Sequence, residues 1–177
     1  PSSSRVPQGF PESEILKPYL TDILNKVNAG TSIKDDENKD VLINEFDNVL
    51  NALKTFREDC KNTQLINELN PWLNSLESIM TAAKSSLLAV VALEDNNIAD
   101  AWSYFSVASK TLATWDDNPT YTNSDKMALA GSKRIQPFAS SLVSYVNNQL
   151  RPIFDSSYTD FTPTLHAMLG GSVKSHD

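Results

Sequence analysis

Apolar residues recur at steps of three and four along most of this chain, and each run is closed by Gly, Asn or Pro signals that fit helix ends. In the first run Ile15, Leu16, Tyr19, Leu20, Ile23, Leu24 and Val27 build one apolar face, with Pro11 suited to a first helical position and Gly30 to a C-terminal cap. The charged connection from Lys34 to Asp40 leads into a second helix with the stripe Leu42, Phe46, Val49, Leu50, Leu53 and Phe56, its acids sitting where a helix dipole favours them. The longest stripe follows: Leu65, Leu69, Trp72, Leu73, Leu76, Ile79, Met80, Ala83, Leu87, Val90 and Val91. Pro71 falls inside it, and an interior proline removes a backbone donor, so the pattern favours a short leading turn from Gln64 and a helix capped by Asn70 over one kinked helix.

After the Asp95-Asn96-Asn97 break, a fourth helix places Ile98, Ala101, Trp102, Phe105, Ala108, Leu112 and Trp115 on one face and ends at Asp116-Asp117-Asn118-Pro119. A polar stretch from Thr120 to Ser132 holds a short helix around Asp125 to Leu129, and a last helix from about Ser132 to Leu150 carries Ile135, Phe138, Leu142, Val146 and Leu150. Arg151-Pro152 is read as its end, because the residue before a proline avoids the α region. No strand pair or internal repeat competes, so the expected fold is all-α: an antiparallel bundle of about five helices. The bundle spans 11–155, preceded by a Ser/Pro-rich entry segment at 1–10 and followed by a mostly irregular tail at 156–177.

Composition narrows the class. The 177 residues suffice for one core, and 40% hydrophobic against 21% charged residues excludes a disordered chain. The net charge of −7, without a basic cluster, disfavours nucleic acid as a partner. The longest apolar run, Leu87 to Leu93, falls far short of the roughly 20 residues needed to span a bilayer, so no membrane partner is expected. Cys60 is the only cysteine and reads as an inert thiol near a helix end, excluding an internal disulfide. Because Pro1 stands in place of a methionine and Ser2-Ser3-Ser4 follows, the chain reads as a segment of something longer.

The residues that do chemistry are scattered. Asp116-Asp117 could supply the acid and base of glycoside hydrolysis, but neighbours in an Asn-Pro turn point apart, and a helix-ending turn accounts for both. Asp35-Asp36-Glu37 lacks the alternating ligands and mid-loop glycine of a calcium loop and reads as a solvated charge run. His166 and His176 form no ligand pair, no serine stands in a nucleophile elbow, and Gly170-Gly171 reads as a flexible exit. Trp72, Trp102 and Trp115 lie on core stripes, which leaves Tyr104 and Tyr121 as weak candidates for an exposed sugar-contacting surface. The residues assign no catalytic, metal-binding or cofactor-binding site, and substrate-binding residues stay unknown.

Three runs carry a resemblance: Ile66-Asn67-Glu68-Leu69-Asn70-Pro71-Trp72-Leu73, Ala101-Trp102-Ser103-Tyr104-Phe105 and Lys133-Arg134-Ile135-Gln136-Pro137-Phe138. In order and spacing they resemble the helical domain that follows the catalytic barrel in family 84 glycoside hydrolases, which include bacterial β-N-acetylglucosaminidases often named hyaluronidases or O-GlcNAcases. The likeness runs from about Pro11 to about Leu165 and includes Tyr158 to Pro163. It implies a noncatalytic accessory bundle, packed beside a catalytic barrel of the same parent chain or a dimer partner, in a secreted or surface-exposed enzyme acting on N-acetylglucosamine-containing glycans. The family's catalytic aspartate pair belongs to that barrel, where it follows an apolar strand; Asp116 follows a helix and does not inherit the role. The rival readings are a helical protein-interaction module unrelated to sugars and a weak carbohydrate-binding module.

Overall fold

The computed structural model describes residues 13–117 and 132–169, with side chains from Ile15 to Trp115 and from Arg134 to Asp155. Within them the chain forms five helices: α1 (Ser13–Asn28), α2 (Glu37–Asp59), α3 (Thr63–Glu94), α4 (Ile98–Asp117) and α5 (Ser132–Leu169). Among the described residues there is no strand, so the expected all-α bundle is the fold. The short helix expected near Asp125 to Leu129 lies outside the described residues.

Helix ends follow from local chemistry. Gly30 takes φ +74°, a left-handed conformation open to glycine without a Cβ penalty. That turn lets Thr31 N–H reach the Lys26 carbonyl at 2.9 Å and Gly30 N–H the Val27 carbonyl at 3.1 Å, satisfying two orphan acceptors of α1. Asn96 repeats the device after α3 at φ 59°, with Asn97 N–H on the Ala92 carbonyl at 2.9 Å. Asn97 then caps α4: its Oδ1 accepts from Asp100 N–H at 3.0 Å, while its amide donates to the Asp100 carboxylate at 2.8 Å.

Two proline readings are corrected. α3 is one helix from Thr63, capped by Asn62 accepting from Leu65 N–H at 3.0 Å, so Asn70 is no cap and Pro71 is interior. Pro71 denies a hydrogen bond to the Asn67 carbonyl, but Asn67 is exposed and water can take that bond. Likewise α5 does not stop at Arg151-Pro152; it continues to Leu169, and the backbone over 156–169 is helical rather than irregular. The carbonyl deprived by Pro152 is that of Asn148, again exposed. In both cases packing of the flanking apolar turns outweighs the loss of one solvated backbone bond.

α3 lies at the centre, against α2, α4 and α5; α5 also touches α4 and α1, and α1 touches α2. Its most apolar stretch is long enough to suggest a membrane span, yet 61% of that window is buried within the fold, as befits a helix surrounded by neighbours. Across the middle, Phe46 of α2 meets Phe138 of α5 with ring centroids 6.4 Å apart. At one end Glu94, closing α3, accepts from the Ile33 N–H at 3.0 Å and from the Ser32 hydroxyl, while Lys34 pairs with Asp95 at 2.5 Å. At that end too, Trp102 near the start of α4 stacks on Phe154 of α5 at 3.9 Å. Consecutive helices therefore alternate in direction, and the starts of α1 and α5 share the opposite end.

Candidate functional site

The aromatic residues that could have touched sugar are core residues. Trp102 and Trp115 are each 4% exposed and Trp72 8%. Trp115 donates its indole N–H to the Ser75 hydroxyl at 2.8 Å, tying α4 to α3. Trp102 packs against Phe154 and Phe105, the latter 5.1 Å away, and its own indole N–H meets no acceptor among the described residues. Tyr104 is partly buried against the core and Tyr121 lies outside the described residues, so among the described side chains no row of exposed aromatics lines a groove.

The acids are also dispersed. Asp116 and Asp117 fall in the last turn of α4 rather than in the turn after it, and their side chains lie outside the described ones, as do those of His166 and His176 and the whole of Gly170-Gly171. Among the described residues no group of three His, Cys, Asp or Glu side chains could hold a metal ion. Cys60 closes α2, half-buried, with its thiol 3.7 Å from the Asn62 carbonyl.

The densest polar assembly instead holds α1 to α2. Lys26 bridges Asp22 at 2.9 Å and Asp36 at 2.5 Å, and the Asn38 amide donates to Asp22 at 2.9 Å. Asp36 is the N-cap of α2, accepting from Asn38 N–H at 2.9 Å, so the run Asp35-Asp36-Glu37 is more than a solvated charge run. The Lys26 ammonium holds both carboxyls below the ordinary aspartate range, Asn38 assisting at Asp22; Asp36 first and Asp22 second hold the Lys26 pKa above its ordinary value. Between α2 and α3, Arg57 pairs with Glu77 and donates to the Asn74 side chain at 2.6 Å, while Lys84 pairs with Asp47 at 2.5 Å. These groups secure neighbouring helices to one another.

The candidate surface is an open groove of about 260 Å³ between the middle of α1 and the start of α5. Leu20, Leu24 and Phe138 form its floor, with Lys17, Thr21 and Arg134 on the rim. A second depression continues it across Pro18, Asp22 and Asn25 on the outer side of α1. Ile15, expected on the core stripe, is 64% exposed, a correction to the sequence reading. The reason is angular: Leu16, Leu20, Ile23 and Val27 repeat at four, three and four and are buried, whereas the row through Ile15 continues to Tyr19, Asp22 and Lys26. That polar continuation was the available signal. A groove this shallow and apolar, without convergent polar groups, suits side chains of a protein partner better than a small substrate.

A bundle of this kind, built around one central helix, defines a class of all-α domain. Residues 16–128 match the hyaluronidase post-catalytic domain-like family, and the chain belongs to that family. The fold is similar to part of the solved structure of CpGH84D, a family 84 glycoside hydrolase, with a TM-score of 0.65 and 21% identity over 77% of this chain. The chain spans only 23% of the length of that protein. Among curated proteins no match is found. The family makes this an accessory, post-catalytic helical domain.

Proposed function

We propose that this domain is a noncatalytic support for a preceding glycoside hydrolase domain in the same polypeptide, the parent acting on N-acetylglucosamine-containing glycans outside the cytoplasm. The observation that carries it is the post-catalytic family match over residues 16–128. Supporting it is the use to which polar chemistry is put: the described acids cap and clamp helices, and the tryptophans are spent on the core. Such a module contributes burial and rigidity beside a catalytic face rather than groups that touch substrate.

The test compares two proteins. The purified 177-residue chain is expected to leave aryl N-acetylglucosaminides intact, whereas the longer protein cleaves them. Turnover by the short chain that vanishes with Asp116→Asn would overturn the noncatalytic reading. A parent sequence with no hydrolase domain upstream would instead favour the interaction-module reading, and chemical-shift changes on titration with chito-oligosaccharides would favour the carbohydrate-binding one.

A further inference from the structure

We draw no further inference here: the strongest candidate, the open groove between α1 and α5 floored by Leu20, Leu24 and Phe138, is an apolar depression, and nothing in the structure shows what covers it.

Discussion

At the scale of single residues, two buried tryptophans with the same exposure make opposite hydrogen-bonding arrangements. The Trp115 indole N–H is satisfied by Ser75, so Ser75→Ala leaves a buried donor stranded and should cost about 1–2 kcal/mol of unfolding free energy by urea titration. The Trp102 N–H has no acceptor among the described residues, so Trp102→Phe removes a desolvated donor along with part of the ring. Trp102→Phe should therefore cost about 1 kcal/mol less than Trp115→Phe, measured side by side in the same titration. An equal loss at both sites would mean ring volume alone sets the cost. The stack on Phe154 is what keeps a tryptophan at position 102 in spite of its idle donor.

At the scale of helices, the ends are set by specific local contacts. Gly30 and Asn96 both hold left-handed turns, and a Cβ at Gly30 would meet nothing within 4 Å. Its replacement is thus a test of backbone conformation alone: Gly30→Ala should cost about 1 kcal/mol. Asn96→Gly should be neutral or slightly stabilising, a contrast that thermal unfolding can read. Asn62→Ala should cost about 1 kcal/mol through loss of the α3 cap, a result that also distinguishes a helix beginning at Thr63 from one beginning after Asn70. The same cap explains why the proline rule misplaced this boundary: a satisfied first turn at Asn62 and buried Leu69, Trp72 and Leu73 on either side of Pro71 keep the helix continuous.

At the scale of the whole molecule, the α1–α2 clamp gives folding a defined acid limb. Asp22 and Asp36 have folded pKa values depressed by Lys26, so their contribution is complete above the unfolded aspartate value of about 4 and is lost as pH falls below it. Lys26 has the opposite sign: its raised pKa keeps its contribution complete below about pH 10 and loses it as pH climbs through the raised folded value. Stability should hold a plateau between these limits, and the Asp22→Asn, Asp36→Asn double variant should flatten the acid limb. Since Asn remains a good N-cap, a flattened limb reports the lost charge pairing rather than a frayed α2. An acid midpoint unchanged in the double variant would remove the clamp from the account.

The positions of the helices and most of their buried faces were legible because the 3.6-residue period is written residue by residue: Leu16, Leu20, Ile23, Val27, Phe46, Leu73 and Phe138 needed no partner to declare themselves. Gly30 and Asn97 marked their boundaries for the same local reason. What required tertiary structure was any question in which a distant contact competes with a local preference. Pro71 and Pro152 are tolerated because neighbouring turns are buried on other helices and the carbonyls they deprive belong to the exposed residues Asn67 and Asn148; Ile15 is left outside because Leu16 takes the inward angle. The groove between α1 and α5 could not be read from either helix, since its walls are more than a hundred positions apart in the chain and meet only when α5 returns to the starting end of the bundle.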